Sequence, residues 1–378
     1  MALKLVKPLE RALREGHPWV YRDAVSGEAR AGEVTDLLDR KGRFLGRGIA
    51  EDGPLALRVW TTNDVPLGPD LLRDRLARAH QLRESIDRGD TNAWRMAHGE
   101  GDRMPGVVID RYDAWAVLRL DGSVSEVEWL VDTVWEWLRD AGVAGLLGKE
   151  KRGDQGVRLL RGERPPEPVH VRERGMVLVA SLWHGQKTGL FLDHRESRAR
   201  VRELARDRRV LNLYGYTGGF SIAAGMGGAR EVVTVDVAKP AIAMADASWA
   251  ANALPDIHVG HAEDARAFLD GDSSRWDLIV ADPPSFAPNA KSKPAALEAY
   301  RKLHEACLAR LSRRGLYLAA SCSSHVDAED FASTLREGAR GARSVLQVLE
   351  RWSGPADHPR LAAFPEGDYL KVFLCRPA

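Results

Sequence analysis

Apolar and polar positions change rhythm twice along this chain. Up to about residue 65 the apolar residues come in short runs broken by turn residues. Val34, Leu37 and Leu38 precede a Lys41-Gly42 turn, Phe44-Leu45 follow it, and Leu55, Leu57 and Val59 alternate with polar neighbours. That spacing predicts short strands in a small β-rich domain. The two prolines of Val65–Asp70 (VPLGPD) predict a boundary. A helix is then expected from near Asp70, with Leu71, Leu72, Leu76 and Leu82 at partly helical spacing. Arg95–Gly122 predicts paired strands joined around Tyr112-Asp113. Ser125–Asp140 predicts a second helix with Trp129, Leu130, Thr133, Val134, Trp137 and Leu138 on one face. A stripe at that spacing makes the tryptophans core residues rather than a base-stacking platform. Further strands are expected up to about Leu182, so the middle of the chain predicts a small α+β domain.

From Trp183 the rhythm becomes a regular alternation of strand-length and helix-length segments. RVLNLY, EVVTVD, IHVG, WDLIVAD and GLYLAAS are the strand runs. Their near-continuous apolar character fits parallel strands covered on both faces. SVLQVLERW and DYLKVFLCR add a final pair, which predicts a seven-stranded open sheet of the α/β class. The expected domains are residues 1–68, 69–182 and 183–378.

Composition narrows the classes without choosing among them. The chain has 378 residues, 44% hydrophobic and 29% charged, enough to build ordinary cores and too apolar for disorder as the main state. No run approaches the roughly 18 apolar residues of a membrane span. The N-terminus has neither the apolar stretch nor the small-residue cleavage site of a signal peptide, so a cytoplasmic location is expected. Three cysteines, Cys307, Cys322 and Cys375, match no zinc spacing; reduced thiols and no metal are expected. The net charge of +1 argues neither for nor against nucleic acid. Arg139–Arg174 (nine basic, six acidic) and Asp193–Arg209 (seven basic, four acidic) each carry +3 locally. Such patches can neutralise phosphates, but charge alone favours solvated faces.

In an open parallel sheet, ligands bind beyond the carboxyl ends of the strands. After the first run comes Tyr214-Gly215-Tyr216-Thr217-Gly218-Gly219-Phe220-Ser221. Its glycines permit tight turning and close approach of a ligand to a helix N-terminus, although the spacing is not that of dinucleotide enzymes. The second run ends in Asp236, 21 positions after Gly215, where a carboxylate can accept from a ribose diol. The third leads to Glu263-Asp264, which can meet an adenine edge. The fourth ends in Asp282-Pro283-Pro284-Ser285-Phe286, where two prolines remove N–H donors and leave acceptors facing outward. The fifth ends in Ser321-Cys322-Ser323. Each has a plainer reading: a helix cap for Asp236, a proline turn for Asp282, a small buried hydrophobe for Cys322. Their occurrence together at successive strand ends favours one site.

These residues resemble a known family. From Leu211 onward the chain is similar to class I methyltransferases that use S-adenosylmethionine. More narrowly, it resembles the bacterial 23S rRNA cytosine-C5 methyltransferases of the PUA-domain type. GQKTGLFLDHR (Gly185–Arg195), NLYGYTGGFS (Asn212–Ser221), DPPSF, SCSSHV and HPRLAAFPEGDYLK (His358–Lys371) match that family's signatures in order, and REGHPWVYRDAV (Arg14–Val25) resembles its PUA domain. The resemblance implies a Rossmann-like seven-stranded methyltransferase domain, preceded by a β-rich PUA domain for RNA and the small α+β domain. It implies S-adenosyl-L-methionine as cofactor, bound by Arg195, Asn212, Tyr214, Tyr216, Gly218, Asp236, Asp264 and Asp282. Arg195 is expected against the methionine carboxylate, and Lys187 near the same pocket. Cys322 is implied as the nucleophile and Asp282 as the group that holds the flipped base. The partner implied is 23S ribosomal RNA, with no membrane and with a homodimer among the assemblies allowed. One departure stands out. Many RNA C5 methyltransferases carry a second cysteine after the fourth strand, where this chain has Pro283-Pro284, so no residue is assigned to take the C5 proton. Cys307, on a face with Leu303 and Leu311, and Cys375, inside the last strand, are expected in the core. Two alternatives stay open. DPPSF also resembles the Asp/Asn-Pro-Pro-aromatic motif of amino-methylating enzymes, implying guanine-N7 or amino-nitrogen methylation without a thiol. A non-catalytic PUA RNA-binding protein is the other, and intact Asp236, Asp282 and Cys322 count against it.

Overall fold

The computed structural model describes residues 2–150 and 156–378. The chain divides into two units: residues 1–169, Ser181–Leu192 and Ala356–Gly367 form the first, and His170–Ala180, Asp193–Pro355 and Asp368–Ala378 the second.

The first unit contains two sheets. Six short strands between Ala2 and Thr61 make a mostly antiparallel sheet around Leu3, Leu5, Leu13, Leu37, Leu45 and Leu57. Val34–Leu38, Phe44–Ala50 and Leu55–Thr61 lie where the alternation places strands. Ala2–Leu5, Trp19–Tyr21 and Val25–Ser26 are too short to show a period. A five-stranded sheet, Ala93–His98 to Val157–Gly162, packs with helices Pro69–Glu84 and Glu128–Asp140 around a second core. Ile49, Trp60 and Leu67 also join that core. In the helix Pro69–Glu84 the buried line is Leu72, Arg75, Leu76, Ala79 and Arg83, so Leu82 is exposed instead of joining the stripe. The Arg83 guanidinium is buried because Asp102 binds it through two bonds of 2.7 Å, and it also donates to the Asp357 carbonyl at 2.7 Å. In Glu128–Asp140 the fully buried line is Leu130, Thr133, Val134 and Leu138, with Trp129 and Trp137 partly buried at its margin.

The second unit is built on a seven-stranded sheet. Its strands are β1 (Arg209–Leu213), β2 (Glu231–Asp236), β3 (His258–Ala262), β4 (Trp276–Ala281), β5 (Leu311–Ser321), β6 (Leu346–Trp352) and β7 (Lys371–Pro377). The helices are α1 (Arg195–Leu204), α2 (Gly219–Met226), α3 (Lys239–Ala251), α4 (Ala265–Gly271), α5 (Lys293–Arg310) and α6 (Ala328–Gly341). The strand order is β3-β2-β1-β4-β5-β7-β6. The first five strands are parallel, and β7 runs antiparallel between β5 and β6. β1 and β4 are the most apolar because both faces are covered; Leu211, Val233, Ile279, Tyr317 and Phe373 share one core with Tyr300, Cys307 and Phe331 of the helices. Strand order reverses between β1 and β4, the switch point where such sheets open a crevice. Leu213 pairs with both Val235 and Ala281, and Ala281 with Ala319. That register brings the residues following β1, β2, β4 and β5 to one edge.

Within the basic stretch Asp193–Arg209, carboxylates hold Arg198, Arg200 and Arg209. Arg198 is buried and bidentate to Glu173 at 2.6 and 2.5 Å, Arg200 binds Glu350 and Glu203, and Arg209 binds Glu231. Of Arg139–Arg174, residues 151–155 lie outside the described residues.

Candidate active site

The turn after β1 shows how the edge is built. Tyr214 (φ +56°), Tyr216 (φ +46°) and Gly218 (φ +77°) all take the left-handed region within five residues. Such a cluster costs energy and persists only where its surroundings hold it. Here the Gly215 N–H donates to the Val235 carbonyl at 3.0 Å, and the Tyr216 N–H donates to Asp236 at 2.9 Å. Gly218 has no room for a side chain, since a Cβ would lie 2.7 Å from that of Ala245 on α3. Asn212 supports the turn from beneath. Its side-chain N–H donates to Ser221 at 2.9 Å, starting a buried chain through Thr234 to His258, while its Oδ1 is buried without a partner.

Asp236 ends β2 with each carboxylate oxygen accepting one backbone N–H, from Tyr216 and from Ala238, both at 2.9 Å. Each oxygen keeps a lone pair for a further donor. Val237 beside it is 68% exposed, an apolar side chain standing open at the strand end. Asp264 caps α4, accepting from the Arg266 and Ala267 N–H groups at 2.9 and 3.0 Å. It also faces Tyr214, whose phenol is held above its usual range by burial first and by Asp264 among the nearby charges.

Asp282 follows β4, and His194 Nε2 lies 3.1 Å from its Oδ2. His194 is almost wholly buried and its Nδ1 is 3.2 Å from Ser197 Oγ. Arg195, the first residue of α1, is buried at 1% exposure, with its Nε 3.4 Å from Glu196 Oε1. Lys187 falls in the first unit, its ammonium 4.2 Å above the Phe191 ring.

Cys322 is the one half-buried cysteine; Cys307 and Cys375 are fully buried, and burial pushes both of their thiols up to about 12. The flanking serines explain its presentation. Ser321 and Ser323 are both fully buried, whereas Cys322 between them is only partly buried. Ser321 and Ser323 each share a 2.9 Å hydrogen bond with the Tyr300 hydroxyl of α5, and Ser323 shares a 3.0 Å bond with Ser285 of the DPPSF turn. The Tyr300 phenol is raised by burial first, against the bonds from the two serines, with Cys322 and Asp282 adding to the rise. One buried phenol therefore feels both groups. Lys371 of β7 also holds the turn, donating to the Ser323 carbonyl at 2.6 Å and to the Tyr369 carbonyl at 2.7 Å. The Tyr369 hydroxyl in turn donates to Asp193 at 2.7 Å.

His194, Tyr300, Val237 and Lys371 are the residues that strand-end reasoning misses. His194 and Lys371 stand inside the matched stretches Gly185–Arg195 and His358–Lys371. Tyr300 carries no local signal, because it sits mid-helix and only the packing turns its hydroxyl toward the β5 turn.

A methyl donor with an adenosyl group fits this edge: carboxylate lone pairs lie at the ends of β2 and β3, an open apolar side chain stands at Val237, and a buried Asn212 oxygen has no partner. A sheet of this order with this edge defines the class I methyltransferases. The family model of S-adenosylmethionine-dependent methyltransferases matches residues 121–376, and a PUA-like domain matches residues 3–62. The chain belongs to the S-adenosylmethionine-dependent methyltransferase family. Among its relatives, the protein named ribosomal RNA large subunit methyltransferase I of Erwinia tasmaniensis is 32% identical, covering 99% of this chain and 98% of that one. The protein of the same name from an Enterobacter species is 33% identical, covering 99% and 98%. A protein whose crystal structure is a complex with SAH superposes over the full length of both chains with a TM-score of 0.90 at 25% identity. A methyltransferase from Streptococcus mutans shares the fold with a TM-score of 0.89 at 24% identity.

Proposed function

We propose that this chain methylates C5 of a cytosine in large-subunit ribosomal RNA, with Cys322 as the nucleophile. The observation that carries the reading is the presentation of Cys322. Two buried serines, a buried phenol and a lysine hold its turn rigid and leave the one half-buried thiol of the chain at the donor edge. The two large-subunit rRNA methyltransferases that match along their whole length support the substrate class.

When bound, S-adenosylmethionine supplies an electrophilic methyl group. Asp236 takes the ribose hydroxyls, Asp264 the adenine edge and Val237 the ring face. Tyr214, Tyr216 and Gly218 shape the backbone that meets the donor, Asn212 holds that backbone from below, and Arg195 is assigned to the methionine carboxylate. C5 of cytosine is a weak nucleophile. Addition of the Cys322 thiolate to C6 forms an S–C6 bond and pushes the electron pair of the C5–C6 double bond toward C5, which then accepts the methyl group. Loss of the C5 proton to a base restores the double bond and expels the thiolate. Asp282, oriented by His194, accepts from the exocyclic amine of the extruded base. Residues 1–68 are assigned to RNA binding, 69–182 to the central α+β domain and 183–378 to methyl transfer.

RNA bearing 5-fluorocytidine at the target cannot release its C5 substituent as a proton, so it should remain bound to Cys322 through denaturing electrophoresis. Cys322→Ala should abolish both that adduct and turnover, with donor binding by calorimetry unchanged. Cys307→Ala and Cys375→Ala should still trap. The DPPSF motif favours a second reading, methylation of a base nitrogen without a thiol. Methylation by Cys322→Ala at a near-normal rate would establish it in place of the first.

A further inference from the structure

We infer that Lys371 is a positioning residue for Cys322: its ammonium fixes the Ser321–Ser323 turn and provides the positive charge against which the Cys322 thiolate forms. The inference rests on the reading of Cys322 as the nucleophile. Lys371 and Ser321 are direct partners in the β5–β7 register. The Lys371 side chain then reaches the Ser323 carbonyl at 2.6 Å. Backbone pairing before the cysteine and an ammonium bond after it bracket Cys322 from one residue. Lys371 is only 5% exposed, and its two carbonyl bonds to Ser323 and Tyr369 keep it there. A lysine that served only to stitch two strands would be replaceable by a neutral donor without the cost of burying a charge. Beside a thiol the charge has a use, because a neighbouring cation favours the reactive thiolate.

The ionisation of Lys371 agrees. Burial lowers its ammonium to about 8, and a negative charge at Cys322 is the first of the influences that raise it again. The attraction is mutual, so the ammonium stabilises the thiolate by the same interaction. Other groups act on the pair. Asp368 before β7, and Asp327 and Asp330 at the start of α6, also raise Lys371, with Asp330 itself bound to Lys293. Tyr300 of α5 and Asp282 after β4, the latter paired with His194, face the cysteine side. The carboxylates oppose thiolate formation, and the Lys371 ammonium acts against them. The thiol proton passes to solvent, and the ammonium keeps all three of its protons below about pH 8.

The test is the alkylation rate of Cys322 by iodoacetamide between pH 5 and 10 in the full chain, resolved from Cys307 and Cys375 by peptide mass spectrometry. The wild-type rate should reach half its plateau below the value of about 8.5 for an ordinary thiol. Lys371→Met should move the profile upward and slow alkylation at pH 7 by about tenfold, the effect of roughly one pH unit. Lys371→Arg, which keeps the charge, should restore most of the rate. A folded Lys371→Met protein, checked by donor binding, that kept the wild-type profile would overturn the inference. If Lys371→Met does not fold, an ordinary wild-type profile, or an Arg variant with a neutral-thiol profile, overturns it equally. Alkylation needs no RNA. Failure of the wild-type protein to trap 5-fluorocytidine RNA, with the thiol profile as expected, would therefore sink the methylation reading while leaving the Lys371–Cys322 pairing in place.

Discussion

His304 shows what burial does to one side chain of this protein. It sits inside α5 at 1% exposure, with Nδ1 2.7 Å from the Tyr317 hydroxyl and Nε2 buried without a partner. Removal from water disfavours the imidazolium and lowers its pKa to about 3. In the unfolded chain the ring titrates near 6.5, so between pH 6.5 and 3 the unfolded state binds more protons. Stability therefore falls as pH falls through that window, by up to about 1.4 kcal/mol per pH unit. Tm should drop from pH 7 to pH 4 in the wild type and drop less in His304→Gln. Parallel curves would mean that other groups set the acid sensitivity. Cys322 is only partly buried, and the buried Lys371 ammonium is compensated by two carbonyl acceptors.

At the scale of the element, a strand end here organises the turn of its neighbour. Asp236 belongs to β2, yet its carboxylate fixes Tyr216 of the turn after β1 as well as Ala238 at the start of α3. The left-handed Tyr214 and Tyr216 depend on that support. Asp236→Ala should thus remove two backbone acceptors along with the proposed ribose interaction. Donor affinity should fall by about 1–3 kcal/mol in a calorimetric titration. Unchanged affinity in folded protein would remove Asp236 from the donor site. The β5 turn follows the same logic with different parts: α5 contributes two bonds to the serines around Cys322, and the DPPSF turn and β7 one each.

For the whole molecule, the property to test is RNA binding by the PUA-like residues. The PUA-like match covers residues 3–62, but Ile49, Trp60 and Leu67 pack into the core of the following residues. Deleting residues 1–68 would open that core, so point changes are the sharper test. Lys4, Arg14 and Lys41 are exposed and, among the described residues, make no ion pair. The variant carrying Lys4→Glu, Arg14→Glu and Lys41→Glu should bind RNA at least tenfold more weakly and keep its donor affinity. The slope of log affinity against log salt should shrink by about 0.7 for each phosphate that the variant no longer neutralises. Full affinity at matched salt would place recognition elsewhere on the chain.

Much of this was legible in the sequence. Period and apolar continuity predicted the seven strands, and strand ends named Asp236, Asp264, Asp282 and Cys322, because burial on both faces and exposure at a strand end are properties of a short stretch. The burial of Cys307 and Cys375 followed from the same periodicity. Tertiary structure alone decided the rest. It buried Arg83 in place of Leu82 by supplying Asp102, and set Arg198, Arg209 and Arg200 of the basic run after Asp193 against Glu173, Glu231 and Glu350. It set His194 against Asp282, and Lys371 against a carbonyl 48 positions earlier. Such partners depend on the strand order β3-β2-β1-β4-β5-β7-β6, which puts the last strand beside the fifth. A local pattern records whether a side chain prefers to be buried; which group meets it there is settled only when distant segments pack.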